Sequence, residues 1–291
     1  MLHKDQDTPV LIDHDEELAT LNDQLNGSSS RRRPAFVVMY GRRRVGKSTL
    51  LKVWAKRSGL PNTYWLSDRD LPVLHGRQVY ARFKDIAFES APLFPLWGAL
   101  WDAVAATIGD RKHIIIIDEL PYAAASDPAM LSAVQYAWDE HFLHRQVILV
   151  ICGSHVHRME ELLQKESPLY GRTTRTVELG PLPFPQMKAF FLKWSAEERV
   201  AGYAIVGGIP EYYEWLESNL SLIENLRTRV VDRRSQFLAE ARFPLYDQMQ
   251  QPALHLSVIK AIGTGQHTFE ELRHASECPD SDKLDTRLTE P

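Results

Sequence analysis

The sequence predicts an α/β fold, a parallel sheet covered by helices on both faces, followed by a helical remainder. Three observations carry this. Short β-rich runs alternate with amphipathic stretches as far as Pro185, the pattern of strand–helix–strand units. Runs at 35–40 (AFVVMY), 114–117 (IIII) and 146–152 (QVILVIC) are nearly continuous in apolar residues, as strands covered on both faces are. Beyond Pro185 the strand signals stop and helical periodicity takes over.

The elements follow in order. Leu18, Leu21 and Leu25 share one face of a helix expected at 15–25, and the polar stretch 27–34 (GSSSRRRP) is a loop. The run 35–40 is the first strand. The helix expected from Lys47 turns Leu50, Val53 and Trp54 inward. Thr63 to Leu66 reads as a second strand, followed by two helical stretches, the second around 96–108. After 114–117, Asp127 can cap a helix carrying a Leu131, Val134 and Trp138 stripe. The run 146–152 is the next strand, and 176–179 the fifth. Helices are then expected at 186–194, 196–206, 211–216 and 222–239. This reading divides the chain into a core at 1–183, a helical lid at 184–243 and a last domain at 244–291.

A chain of 291 residues, 44% hydrophobic, can bury its core without disulfides or structural metal. Its two cysteines, Cys152 and Cys278, stand in no metal-like spacing. With a polar N-terminus and no apolar run of membrane-spanning length, the expectation is a cytoplasmic protein with no membrane partner. A net charge of −4 argues against a whole-surface nucleic-acid binder.

Between the first strand and its helix stands GRRRVGKST, Gly41 to Thr49, which fits G-x-x-x-x-G-K-[ST] through Gly41, Gly46, Lys47 and Ser48. Glycines at these places let backbone N–H groups wrap phosphate oxygens, and the following helix adds its positive end. Val45 and Thr49 complete the loop. Lys47 is expected on the β- and γ-phosphates and the Ser48 hydroxyl on Mg²⁺. Arg42, Arg43 and Arg44 read either as phosphate contacts or as solvated loop arginines. The fold expected is therefore a P-loop NTPase sandwich binding ATP or ADP.

HIIIIDEL places Asp118 and Glu119 where a buried strand ends, 71 positions after Lys47. In an open parallel sheet that edge is where ligands bind. Asp118 is expected to hold Mg²⁺, and Glu119 to polarise the attacking water. Ser154, just past the next strand, reads as a γ-phosphate contact or as a helix N-cap. Arg172 and Arg175 precede the fifth strand, from which an arginine can be offered to a neighbouring subunit's γ-phosphate; a plain surface role is the alternative. Gly207, Gly208 and Pro210 in GGIPEYY stop one helix and start the next.

Together MYGRRRVGKSTLL, IIIIDELPYAA, CGSHVHRMEELLQKESPLYGR and GGIPEYY resemble the archaeal-type ATPase family within the STAND branch of AAA+-related NTPases. The resemblance runs from Leu11 to about Ile262. It implies an ATPase core, a small helical lid carrying the G-x-P motif with Pro210 at the nucleotide, and a winged-helix domain. It also implies that residues 15–18 lie beside the adenine, and that ATP drives a regulatory switch. LHLSVIKAIGTGQHTFEEL looks like the first helices of the winged helix, so a partial winged-helix domain is expected. From Glu270 onward there are seven carboxylates against three Lys or Arg, the reverse of what a duplex-binding face needs. DNA binding there is not expected; self-association or a protein partner is.

His141 with His144, and His155 with His157, lack the partners of a metal site and read as surface histidines. Trp97 and Trp101, one helical turn apart, read as core contacts. Arg227, Arg229, Arg233 and Arg234 read as the solvated face of a helix. Two rivals to an ATPase switch are a nucleotide-binding regulator that does not turn over, and a small-molecule kinase. The acidic pair and the late G-x-P segment speak against the kinase.

Overall fold

The computed structural model describes residues 14–26, 34–68, 70–240 and 252–276. Its five-stranded parallel sheet comprises β1 (Ala35–Tyr40), β2 (Asn62–Leu66), β3 (His113–Asp118), β4 (Val147–Gly153) and β5 (Arg175–Glu178). The strand order is β2-β3-β4-β1-β5. The three strands with the most continuous apolar sequence are the three in the middle, and every residue of each is buried. The edge strands NTYWL and RTVE are more polar and only partly covered.

The pleat sends alternate residues to opposite faces. Phe36, Val38, Ile115, Ile117, Leu149 and Ile151 meet Val79 of α3 (Pro72–Lys84), Leu100, Trp101 and Val104 of α4 (Trp97–Ile108), and Val134 of α6 (Ala129–Tyr136). Val37, Met39, Ile114, Ile116, Ile148 and Val150 meet Leu21 of α1 (Asp15–Asn26) and Leu50, Leu51 and Trp54 of α2 (Lys47–Arg57). Each such leucine contributes about 1.5–3 kcal/mol by leaving water. Between β3 and α6 lies the short α5 (Leu120–Ser126), and α7 (Val156–Glu161) follows β4. Asp127 accepts from the backbone N–H of Ala129 (3.0 Å) and from Trp97 Nε1 (2.8 Å), tying the start of α6 to α4.

Backbone contacts divide the chain into Met1–Glu214 and Trp215–Pro291. Residues 184–214 fall in the first of these units, with the sheet. The reason is local. Leu182 donates its N–H to Gly208 O (2.7 Å), and Tyr203 donates its hydroxyl to Leu182 O (2.9 Å). A Cβ on Gly208 would stand 2.0 Å from Leu182 O, so only glycine permits the approach.

Two expected helices are shorter than their sequence suggested. In place of 186–194 there is one turn, Met187–Phe190, ended where the Phe191 ring stacks on Trp194 at 4.1 Å. In place of 222–239, a helix at Leu222–Asn225 runs into a wide turn at Leu226–Val230, then stops. Asp232 accepts from Arg234 N–H (2.8 Å) and the Ser235 hydroxyl donates to Arg229 O, which closes a turn before Gln236–Glu240 begins. In the second unit Pro252–Gly263 and Phe269–Ala275 pack through Val258, Ala261 and Leu272. They fall in the segment that the sequence reads as a partial winged helix; 277–291 lie outside the described residues.

Candidate functional site

β1 ends at Tyr40, β3 at Asp118 and β4 at Gly153, all at the carboxyl edge of the sheet, with β4 between the other two. Ser154 therefore comes between the glycine-rich loop and the acidic pair. The loop leaves β1 at Gly41, where a Cβ would stand 2.1 Å from Leu179 O. It passes Arg44 and Gly46 in left-handed conformation and becomes α2 at Lys47. Val45 is buried, Thr49 half-buried, and Arg42 and Arg43 exposed.

Lys47 is only 5% exposed. Its Nζ donates to the carbonyls of Gly41 (2.8 Å) and Arg42 (2.9 Å). Burial pushes the ammonium pKa below the ordinary lysine value, and Cys152, Glu119 and Asp118 push it back up. A buried cation within a loop of inward-turned backbone suits a polyanion.

Asp118 is fully buried, and both its carboxylate oxygens accept hydrogen bonds. Oδ2 accepts from Ser48 Oγ (2.5 Å) and from the Tyr64 hydroxyl, and Oδ1 from the Glu119 N–H (3.0 Å). Glu119 is left-handed (φ 55°, ψ 40°), a conformation that costs a non-glycine residue about 1–2 kcal/mol. Surrounding bonds hold it there. The Ser67 hydroxyl donates to the Glu119 carbonyl, while the Glu119 carboxylate accepts from Ser154 N (3.0 Å) and Ser154 Oγ (3.1 Å). The Ser154 hydroxyl thus lies on Glu119, and α7 starts without a side-chain cap.

The GGIPEYY segment also reaches the loop. Ile209 packs on the α2 face of the sheet, Pro210 opens a short helix, Pro210–Glu214, and Arg44 forms an ion pair with Glu211. His14, buried at the head of α1, lies beside Gly46: a Cβ there would be 3.9 Å from its Nε2.

A family model described as an ATPase domain predominantly from Archaea matches residues 11–216. The chain belongs to this archaeal ATPase-domain family. An uncharacterised protein of Methanocaldococcus jannaschii, MJECL04, is 32% identical over 268 residues, 91% of this chain and 57% of that protein, so the chain spans little more than half of its relative. Among solved structures, the Walker-type ATPase PABY2304 of Pyrococcus abyssi superposes with a TM-score of 0.58 at 18% identity, covering 96% of this chain and 89% of that one. The Aeropyrum pernix ORC2 protein, solved as ADPNP–ADP complexes, gives 0.56 at 15% identity over 99% and 83%. The A. pernix ORC1 protein, solved in complex with DNA, gives 0.52 at 13% identity over 96% and 83%. At these identities the likeness is one of fold.

In this archaeal-type ATPase domain the donor set fits its expected ligands. Among the described residues no three His, Cys, Asp or Glu gather as a metal cage. Mg²⁺ in nucleotide sites typically needs only one or two protein oxygens besides phosphate and water. Ser48 Oγ and Asp118 Oδ2, side by side, are such a pair.

The two candidate arginines are not brought to their own chain's loop. Arg172 forks onto Asp139 (2.6 and 2.8 Å) and donates to Pro168 O (2.9 Å). Arg175 pairs in register with Val37, well before the end of β1 at Tyr40, and is exposed. Of the other singled-out residues, Trp101 is buried in the core, and His141 and His157 lie beside Asp102 and Glu161.

Tyr64, Ser67, Glu211 and His14 were missed by sequence reasoning. Strand register brings Tyr64 and Ser67 to the acidic pair, and no motif spacing encodes that. Glu211 directly follows the G-x-P segment, whose nearness to the loop was its available signal.

Proposed function

We propose that this domain binds ATP with Mg²⁺, hydrolyses it, and uses the cycle as a switch. The observation that carries the reading is Glu119, held in a strained backbone with its carboxylate fixed by Ser154, beside buried Lys47 and Asp118. Such preorganisation is what activation of water requires. Lys47 would exchange its two loop carbonyls for phosphate oxygens. Ser48 and Asp118 would hold Mg²⁺, which neutralises charge on the phosphates when bound. Glu119 would orient and polarise the attacking water, with Ser154 keeping its carboxylate in place. Residues 41–49 cradle the nucleotide, with Pro210 on the lid side.

The Arg44–Glu211 ion pair supports a route for the switch, because it joins the phosphate loop to the G-x-P segment. Phosphate arriving at the loop competes with Glu211 for Arg44. In the switch reading, 184–243 act as the lid and 244–291 as a partial winged helix through which a protein partner is engaged. The acidic balance of the tail favours protein over DNA. Should the protein self-associate, Arg175, exposed at the start of β5, is better placed to reach a neighbour than Arg172, which Asp139 holds. Its two cysteines, in no metal-like spacing, are consistent with a cytoplasmic protein.

Glu119→Gln tests the reading. It should bind ATP about as the parent does and retain it uncleaved in a single-turnover assay. Hydrolysis at the parent rate would remove Glu119 as the base. No phosphate release from the parent itself would favour a nucleotide-binding regulator.

A further inference from the structure

We infer that Tyr64 is a positioning residue for the metal-binding carboxylate: its hydroxyl, reaching from β2, holds Asp118 in the orientation in which Asp118 and Ser48 share a cation. The inference rests on the Mg²⁺–ATP reading above. β2 pairs with β3 so that Leu66 lies opposite Asp118 and Tyr64 opposite Ile116. Residues 64, 66, 116 and 118 therefore share a face of the sheet, the one α2 covers. Tyr64 stands two residues short of Asp118's register partner, and only a long side chain ending in a donor spans that offset.

The two hydroxyls on Asp118 Oδ2 are not equivalent. Ser48 is itself an expected cation ligand, so its bond to Asp118 changes as the cation comes and goes. Tyr64 is a donor whose place does not depend on the cation. It also keeps a fully buried carboxylate oxygen solvated when Ser48 is drawn toward metal.

The ring is fixed independently of its hydroxyl. Lys52 Nζ, one helical turn beyond Ser48 on α2, lies 4.4 Å from the ring centroid. The ring also packs against the apolar cluster on the α2 side of the sheet. Tyr64→Phe thus removes a hydrogen bond and leaves the packing.

The test is Mn²⁺ binding followed by electron paramagnetic resonance on the full chain with ADP, alongside ADP affinity in EDTA. Loss of an outer-shell partner typically weakens metal binding about 10–100-fold, and that loss is expected for Tyr64→Phe, with ADP affinity in EDTA unchanged. Parent-like Mn²⁺ affinity in the variant overturns the inference. So does an equal loss of ADP affinity in EDTA, which would mean that the tyrosine supports the loop's fold. If the parent shows no ADP-dependent Mn²⁺ binding, the Mg²⁺–nucleotide reading itself fails.

Discussion

The two ends of β3 contrast. At its start, buried His113 hydrogen-bonds Thr63 Oγ1 (2.9 Å) and stacks on Phe83 at 5.5 Å; burial drives its pKa down to about 4. At its other end, Asp118 and Glu119 sit among Lys47, Ser48, Tyr64 and Ser154. Both ends bury titratable groups. The first end satisfies its group with one neutral partner and asks nothing further. The second concentrates charge, strained backbone and converging donors, which stability alone does not call for. Burial of polar groups therefore marks function only when the groups converge on one place.

Mutations should separate the two ends, and the largest effect is expected at the carboxyl edge. Glu119→Gln should lower single-turnover hydrolysis by ~10²–10⁴-fold with ATP affinity kept. Asp118→Asn should lose turnover and Mg²⁺ affinity together, and calorimetry with and without the metal distinguishes the two variants.

At the other end the effect should be on stability. Because the folded pKa of His113 lies below the unfolded value near 6.5, the unfolded chain binds the extra proton between those values. Stability is then full above about pH 6.5 and falls as the pH drops toward 4, by on the order of 3 kcal/mol from this group. His113→Gln should flatten that slope in denaturant titrations from pH 7 to 5 while leaving ATP affinity at pH 7.5 unchanged. A slope that survives the substitution assigns it elsewhere.

Ser154→Ala keeps one of the two bonds to Glu119. Its hydrolysis should fall about tenfold, the equivalent of ~1.5 kcal/mol, with nucleotide affinity unchanged. The smallest effect is expected at Arg172. Arg172→Ala should cost about 1 kcal/mol or less in stability, since the pair with Asp139 is partly exposed, and should leave the hydrolysis of dilute protein intact. Mixing Arg175→Ala with Lys47→Ala and measuring recovered activity asks whether a neighbour's arginine is used; activity independent of protein concentration would answer no.

Much of the sheet was legible because the central strands are covered on both faces, so β1, β3 and β4 announce themselves as apolar runs. The loop was legible because its chemistry demands residues at fixed offsets. What escaped depends on distance in sequence. Ser154 reaches Glu119 across 35 positions and Tyr64 reaches Asp118 across 54, and both contacts exist only once strands are in register. The two overlong helices failed for another reason. Their apolar periodicity is real, but an aromatic stack at Phe191 and side-chain bonds by Asp232 and Ser235 offer the backbone better local partners than another helical turn.

The strand order also bears on how the protein is born. β1 carries the phosphate loop and is the first strand made, yet its neighbours are β4 and β5. At typical rates of synthesis roughly six to twenty-three seconds separate Tyr40 from Gly153, the end of β4, on the ribosome. Until β4 is made the AFVVMY run has no strand to pair with, an exposed apolar segment of the kind chaperones shield. A nascent chain halted before β4 would hold the whole phosphate-binding signature and no place to bind phosphate.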